Sequence, residues 1–315
     1  MRRCLGWCNR NIDWLREEGL RLENGIASLS TVSRLLSTID EELFLYAFIE
    51  WIGGIVRTKD AHLACDGKAM RAAAEKCKGK TAPMMLHIIE AKTGLVVAQL
   101  PIPDKESEIT NLPKLLSFLD IEGSTITADA LNTQTSVMEQ IIEQGGHFVF
   151  MVKRNQPNSY EEIVTQFEAI KADKKRMDED PAYKSMYPDY QEKYDEAAYS
   201  EKNRDRCEYR IYSIINNASF ISKTENEWPF LKSAGCVEQI RIQIVKDEAG
   251  NDITPSKEQF LQQGSPRQPS PGKGDQEKDD IQVVGIISDK EMSAEEMGKY
   301  KRGHWCRESG TSCFR

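Results

Sequence analysis

Between residues 62 and 152 the apolar positions fall into short runs that are separated by turn residues. Five of these runs have the length of β-strands: 62–65, 84–90, 95–102, 124–129 and 147–152. The intervening segments 109–119 and 133–143 repeat their apolar residues at the spacing of an amphipathic helix. The second and third runs flank a short turn at 91–94, which indicates a hairpin. The pattern therefore predicts three antiparallel strands followed by two helix–strand units.

This order of elements, with a further helix beginning near Asn158, is that of the ribonuclease-H-like fold. Such a fold has a mixed sheet that is flanked by helices, and its first and fourth strands are neighbours. Asp66 ends the first apolar run and Asp129 ends the fourth. We therefore predict an α/β protein in which these two carboxylates lie at one edge of the sheet.

The sequence predicts two parts: a small helical subdomain at 1–57 and one larger domain at 58–315. Residues 1–23 show no clear element, whereas 31–36 and 43–55 have the apolar spacing of two helices. We expect the Leu, Phe and Trp side chains of these helices to pack in a core.

Beyond residue 170 the chain becomes highly charged, and 171–180 carries both signs, as a solvated helix face or loop does. The segments 208–215 and 237–245 alternate polar and apolar residues as strands do. We therefore expect an insertion rich in β structure at about 173–280 of this sequence.

The stretch 262–280 is rich in Gly, Pro, Gln and Ser and is expected to form a loop, because it has little apolar surface to bury. A strand-like run at 282–287 and a helix at 293–302 follow, and Ser293 is the expected cap of that helix. We expect His304, just beyond it, to be a packing residue and not a metal ligand.

Composition narrows the class of protein. The net charge of -8 argues against a protein that coats nucleic acid non-specifically, since Lys and Arg supply phosphate contacts. The eight cysteines form no Cys-x-x-Cys pair, so zinc-ribbon and thioredoxin-like sites are not indicated. No apolar stretch reaches the roughly 18 residues of a spanning helix, and the start lacks a signal-peptide pattern. We expect a cytoplasmic protein without a membrane partner.

Two carboxylates at neighbouring strand ends can share divalent metal ions. A single aspartate at a strand end is more often a turn former or a helix cap, so the hypothesis depends on the pair. Phosphodiester cleavage needs an activated nucleophile and a stabilised leaving oxygen, and two metals about 3.5–4 Å apart provide both. Mg²⁺ and Mn²⁺ prefer such oxygen ligands. Neither a Gly-x-x-x-x-Gly-Lys loop nor a Gly-x-Ser-x-Gly motif is present, so ATP hydrolysis and serine hydrolysis are not indicated.

An ordered set of motifs runs from about Leu22 to Glu308. Its members are Asp66-Gly67-Lys68 with Arg71, Lys105-x-x-Glu108-Ile109 with Pro113, Asp129-Ala130 with Gln134, Lys153-x-Asn155-Gln156 with Tyr160, Arg206-x-Glu208-x-Arg210, and Arg302-Gly303-His304-Trp305 with Glu308. In these residues and their order the chain resembles the insertion-sequence DDE transposases, in particular the H-repeat-associated branch. The resemblance implies metal-dependent cleavage of DNA and transfer of its strands.

The resemblance also implies a set of site residues. Asp66, Asp129 and Glu308 would be the catalytic acids and would hold two divalent metal ions, Mg²⁺ or Mn²⁺. Double-stranded DNA, as element ends and as target, would be the partner, and a homodimer is left open. The residues expected to contact DNA are Lys68, Arg71, Lys153, Asn155, Arg206 and Arg210. For the arginines near Glu201 and Glu208, surface ion pairs are an alternative of equal weight.

The resemblance is interrupted near both ends of the sequence. Arg307 and Ser309 stand where the family has an aliphatic residue and Asn, and 310–315 do not continue the catalytic helix. Helical sequence that precedes the Asn24-Gly25-Ile26 motif in the family is short here. We therefore expect a truncated copy. The alternative to an active transposase is a remnant that binds DNA but does not cut it, because Glu308 would lie on a fraying terminus.

Overall fold

The computed structural model describes residues 2–69, 84–103, 107–186, 194–203, 206–221, 228, 230–244, 247, 249–252 and 281–305. The chain forms two compact units, Met1–Trp51 and Ile52–Arg315. Among the described residues, no helix has the length and apolar content needed to cross a bilayer.

The first unit is helical. Its helices are α1 (Arg2–Arg10), α2 (Ile12–Glu17), α3 (Leu29–Thr38) and α4 (Glu41–Gly53), the last of which ends within the second unit. The Ser28 side chain accepts a hydrogen bond from the Thr31 backbone N–H at 3.2 Å and caps α3.

The expectation that the apolar residues of these helices pack in a core is wrong for several of them. The α3 helix has no buried residue. The exposed side chains of α3 and α4 include Leu35, Leu36, Leu43, Phe44 and Trp51. An apolar helix face is buried only where another element covers it, and the spacing of residues along one helix does not say whether such an element exists.

The second unit is built on a nine-stranded sheet in the order β3-β2-β1-β4-β5-β9-β8-β7-β6. The strands are β1 (His62–Ala69), β2 (Met84–Glu90), β3 (Val96–Ile102), β4 (Thr125–Ala128), β5 (His147–Val152), β6 (Tyr194–Asn203), β7 (Arg206–Ile215), β8 (Ser233–Gln243) and β9 (Ile281–Ser288). Strand β4 is parallel to both β1 and β5, and the other pairs are antiparallel. The mixed sheet and the adjacency of the first and fourth strands are as predicted.

Strands β6, β7 and β8, which come from the segment predicted as an insertion, continue the same sheet. They join it through β9, which pairs with β5. Strand β6 was not predicted, because its sequence YDEAAYSEKN lacks the aliphatic alternation of a typical strand. The predicted loop at 262–280 lies outside the described residues.

Helices cover both faces of this sheet. They are α5 (Glu108–Leu116), α6 (Thr135–Glu143), α7 (Pro157–Glu179), α8 (Pro181–Met186) and α9 (Ala294–Trp305). A Cβ atom on Gly235 would meet Met297 of α9, whereas one on Gly285 would meet Ile163 of α7. Gly285 pairs with Cys236, the residue after Gly235, so the two glycines face opposite sides of the sheet. Helices α9 and α7 therefore pack on opposite faces.

The charged run at 171–180, for which the sequence left a helix face or a loop open, lies mostly in α7. The helix continues through Glu179, so almost the whole run is helical, and the start proposed for the insertion, residue 173, lies inside it. Helix α9 begins as predicted, because Ser293 Oγ accepts a hydrogen bond from the Glu296 backbone N–H at 3.1 Å.

Candidate active site

Asp66 and Asp129 come from two parallel neighbouring strands. The last residue pair between β1 and β4 is Cys65 with Ala128, and each aspartate is the next residue of its chain segment. Strand β1 does not end at Asp66, as the sequence suggested, but continues to Ala69 in its pairing with β2. At Asp66, β1 is therefore no longer paired with β4 but is still paired with β2. Both aspartates are at the same edge of the β1–β4 ladder.

The side chain of Asp66 is on the α9 face of the sheet. Side chains alternate along a strand, so His62 and Asp66 share one face and Gly67 belongs to the other. A Cβ atom on Gly303 of α9 would overlap the His62 ring. A Cβ atom on Gly67 would instead overlap the carboxylate of Glu108, the first residue of α5. Helix α9, which precedes Glu308 in the sequence, therefore packs on the same side of the sheet as Asp66, and Glu308 itself lies outside the described residues.

The two aspartates interact electrostatically. Burial raises the pKa of Asp66, the nearby Lys68 ammonium opposes that rise, and the charge of Asp129 adds to it. The Lys68 Nζ atom is 3.6 Å from Asp66 Oδ2. Two partly buried carboxylates that repel each other form a donor set that a bound cation stabilises.

The donor chemistry at this edge fits Mg²⁺ or Mn²⁺, because both prefer carboxylate oxygens. Among the described residues, no group of three or more His, Cys, Asp and Glu side chains is arranged to hold a metal ion. Two of the three predicted ligands, Asp66 and Asp129, lie within the described residues, and the third, Glu308, does not.

The Asp129 carboxylate is held by the loop that follows it. Its Oδ1 atom accepts hydrogen bonds from the backbone N–H of Leu131 at 3.1 Å and of Asn132 at 3.4 Å. The side-chain amide of Asn132 donates to the same oxygen at 3.2 Å. These contacts fix the direction of the carboxylate in a segment that has no strand neighbour.

The loop that contains Asn155 and Gln156 holds the loop that follows Asp129. The Asn155 side-chain amide donates to the backbone carbonyl of Ala130 at 2.9 Å. The Gln156 side-chain amide donates to the carbonyl of Thr133 at 2.6 Å. Asn155, which was predicted to contact DNA, thus holds the loop of Asp129, and a DNA contact from it stays a prediction.

Glu108 and Asn132 complete the cluster, although neither was among the predicted site residues. Glu108 is 1% exposed and Asn132 is 0% exposed. The Asn132 Nδ2 atom donates to Glu108 Oε2 at 3.0 Å. The helical spacing of Glu108 with the buried residues Leu112 and Leu115 was an available signal, because it puts an acid on the apolar face of α5.

Helix α9 is fixed to the strands of the site by two histidines that share one hydroxyl. Thr127 Oγ1 is 2.9 Å from His62 Nε2 and 3.1 Å from His304 Nδ1. Burial lowers the pKa of His62 to about 4 and, with the charge of Lys301, lowers that of His304 to about 3. Both rings are therefore neutral at pH 7, and His304 is a packing residue, as predicted.

The predicted DNA-contacting cations have different surroundings. Lys68 lies beside Asp66, and the charge of Lys153 acts on His304, so both belong to the region of the two aspartates. Arg210 is instead in ion pairs with Glu201 at 2.8 Å and with the buried Glu208 at 2.5 Å. Arg71 lies outside the described residues, as does the side chain of Arg206, whose backbone begins β7.

Comparison with known proteins adds an independent line of evidence. An uncharacterized protein in the dhlA 3' region of Xanthobacter autotrophicus is 35% identical over 233 residues, which cover 72% of this chain and 71% of that protein. YhhI of Escherichia coli (strain K12), whose name places it among the H repeat-associated transposases, is 28% identical over 245 residues. These residues cover 78% of this chain but 60% of YhhI, so the chain spans less than two thirds of that relative.

A solved structure, the piggyBac transposase synaptic complex with hairpin DNA, has 13% sequence identity and a TM-score of 0.24. The matched part is 30% of this chain and 23% of that one, a likeness too low to support a conclusion about the fold. The profile of the family described as "Transposase DDE domain" matches residues 57–310, which include both aspartates, Glu108 and α9. On that match, the chain belongs to the DDE family of insertion-sequence transposases.

Proposed function

We propose that this protein cuts DNA at the ends of an insertion sequence and joins the freed ends to target DNA. In this proposal Asp66, Asp129 and Glu308 hold two divalent ions, Mg²⁺ or Mn²⁺. The observation that carries the proposal is the register of β1 and β4, which ends one residue before each aspartate. Membership of the DDE family supports the same assignment.

Bound metal ions would activate the attacking hydroxyl and stabilise the leaving oxygen of the phosphodiester. The residues of the chain would bind and orient the DNA backbone around that centre. Lys68 is half exposed beside Asp66 and can neutralise a phosphate that approaches this carboxylate. Lys153 would do the same from the β5 side. Water and then the 3'-hydroxyl of the cut strand would be the nucleophiles, so no covalent bond between protein and DNA is required.

Nicking of supercoiled plasmid in Mn²⁺ tests the proposal. Wild-type protein should nick the plasmid only with the metal, and Asp66→Ala and Asp129→Ala should each abolish nicking, because each removes a ligand. Asp120→Ala is the matched control, since it removes an exposed acid whose side chain accepts a hydrogen bond from the backbone N–H of Glu122. Nicking that survives in both aspartate variants would overturn the proposal.

The same samples separate catalysis from DNA binding alone. Wild-type protein that binds DNA without nicking it would support the remnant alternative. Glu308→Gln tests the third acid, and it should bind DNA as the wild type does while losing nicking. The proposal places the reaction at the nucleoid and leaves open whether the protein acts as a homodimer, which sedimentation of the protein with and without DNA would test.

A further inference from the structure

We propose that Glu108 is a positioning residue that sets the carboxylate of Asp129 through the amide of Asn132. The inference rests on the proposed function, since it assumes that Asp129 is a metal ligand. Asn132 Nδ2 is 3.0 Å from Glu108 Oε2 and 3.2 Å from Asp129 Oδ1. The two hydrogens of one amide group thus bridge two carboxylates.

The bridge allows one orientation of the Asn132 amide. If the amide were flipped, its oxygen would face two carboxylate oxygens, and neither hydrogen bond would form. Asn132 Oδ1 is buried and has no hydrogen-bond partner within the part of the chain that the structure describes. The contacts of the amide nitrogen with two acids therefore decide the orientation, because charge-assisted hydrogen bonds are stronger than neutral ones.

Glu108 itself occupies a fixed place. It is on the buried face of α5 with Leu112 and Leu115, and it is 1% exposed. Its carboxylate lies against the backbone of Gly67, where any side chain would overlap it. Helix α5 is tied in turn to α6, because the Gln140 side-chain amide donates to the carbonyl of Pro113 at 2.8 Å.

A continuous line of contacts therefore joins the two proposed ligands from the side opposite α9. It runs from the backbone beside Asp66, through Gly67, Glu108 and Asn132, to the carboxylate of Asp129. Beyond the last pair of β1 with β4, the sheet no longer fixes the separation of these segments. The line of contacts supplies that constraint, and a metal site requires it because its ligands must be held within fractions of an ångström.

This role differs from that of a ligand. Glu108 approaches from the α5 face, whereas Asp66 is on the α9 face, and the described acids form no three-ligand group. Loss of an outer partner of a metal ligand typically weakens metal affinity or activity by about 10- to 100-fold. Glu108 acting through Asn132 should give that effect without abolishing binding.

Calorimetric titration of Mn²⁺ into the full chain without DNA tests the inference. Asn132→Ala and Glu108→Gln should each raise the dissociation constant by about 10-fold or more. Adding Glu108→Gln to Asn132→Ala should have no further effect, because the acid acts only through the amide. Asn132→Ser replaces Asn132→Ala if the alanine variant does not fold.

Two controls match the substitutions in chemistry. Glu90 is a buried glutamate that accepts hydrogen bonds from the backbone of Lys92 and Thr93, so Glu90→Gln should leave Mn²⁺ binding unchanged. Asn216 exchanges two hydrogen bonds with the backbone of Met292, and Asn216→Ala should lower the thermal midpoint but not the Mn²⁺ affinity.

The outcomes distinguish the inference from the proposed function. If the wild type binds no Mn²⁺, or if Asp129→Ala binds it equally well, the proposed metal site fails and the inference fails with it. If Asp129→Ala loses binding while Asn132→Ala and Glu108→Gln bind as the wild type does, the positioning role alone is wrong. If Glu108→Gln raises the Mn²⁺ dissociation constant as much in the Asn132→Ala background as it does alone, Glu108 acts on the metal directly. That result would also overturn the positioning role.

Discussion

Gly303 of α9 lies so close to His62 of β1 that a Cβ atom on the glycine would overlap the imidazole ring. The approach is closer than any other residue allows, and it lets His304 reach the Thr127 hydroxyl that His62 shares. Helix α9, which precedes Glu308 in the sequence, is thereby fixed against β1, which contains Asp66, and β4, which ends one residue before Asp129. We expect this contact to contribute to the stability of the folded protein.

Gly303→Ala should push α9 away from β1. We expect the free energy of unfolding to fall by about 1–3 kcal/mol, the usual range for overpacking a filled interface. Gly53→Ala is the control, because that helical glycine has nothing within 4 Å of its Cβ position and alanine favours a helix. Urea unfolding measures both, and a Gly303→Ala variant as stable as Gly53→Ala would contradict the packing described.

Thr127→Val should leave the two histidines without their shared hydroxyl at nearly constant volume. Thr127 is 1% exposed, so water does not replace the lost partner. We expect a loss of about 1–3 kcal/mol, as for other buried polar groups that lose their hydrogen bond. Thr127→Ser keeps the hydroxyl and should be more stable than the valine variant. Chemical denaturation at pH 7.5 provides the comparison, and the reverse order would refute the role of the hydroxyl.

Acid should weaken the protein through the same two rings. Burial holds the pKa of His62 at about 4 and that of His304 at about 3, against 6.5 for an ordinary histidine; Glu90 opposes the first shift and Lys301 and Lys153 add to the second. The folded state therefore binds fewer protons than the unfolded chain, so this stability is complete above about pH 6.5 and is lost as the pH falls toward 4 and 3.

We expect each ring to contribute a loss of about 2 kcal/mol between pH 8 and pH 5. His62→Gln and His304→Gln should each remove their share of that pH dependence. Urea unfolding of the three proteins at several pH values measures it. If all three lose stability equally over this range, the rings are not the source.

Arg210 offers a choice between a structural and a DNA-binding role. It is 19% exposed and paired with Glu201 and Glu208. We expect Arg210→Ala to destabilise the protein by about 1–3 kcal/mol, because the buried Glu208 carboxylate loses its nearer arginine and keeps Arg241 Nε at 3.7 Å. The salt dependence of DNA binding should then stay as in the wild type.

Lys68→Ala is the contrasting variant for this experiment. Loss of the Lys68 ammonium group should reduce the slope of log affinity against log salt concentration by about 1, as expected for one phosphate contact. Filter binding of duplex DNA over a range of salt concentrations gives both slopes. A reduced slope for Arg210→Ala would show that this arginine contacts DNA after all.

Much of the fold was predictable because local patterns decide it. The runs at 84–90 and 147–152 are strands with those bounds, and the helices near residues 109 and 133 begin within two residues of the predicted positions. Strand β6 was missed, because its alternation is weak and its pairing with β7 determines its conformation.

The candidate site, like the fold, was predictable from the sequence only in part. Asp66 and Asp129 were identified from their places after apolar runs and from the family motifs. The contact between Glu108 and Asn132 was missed, because it joins residues that are 24 positions apart in sequence. A motif marks the residues that a family shares, but it does not say which of them touch.

The sequence by itself determined the family, the α/β class and the order of the central strands, and it supplied the two aspartates as candidates, since these follow from periodicity and from motifs read along the chain. The tertiary structure alone decided that Glu108 and Asn132 join the two aspartate segments, that two histidines share Thr127, and that Arg210 is paired with acids. Each of these depends on the distance between segments remote in sequence. That distance is fixed by strand register and by the close approach of helices at glycine, neither of which local residue patterns encode.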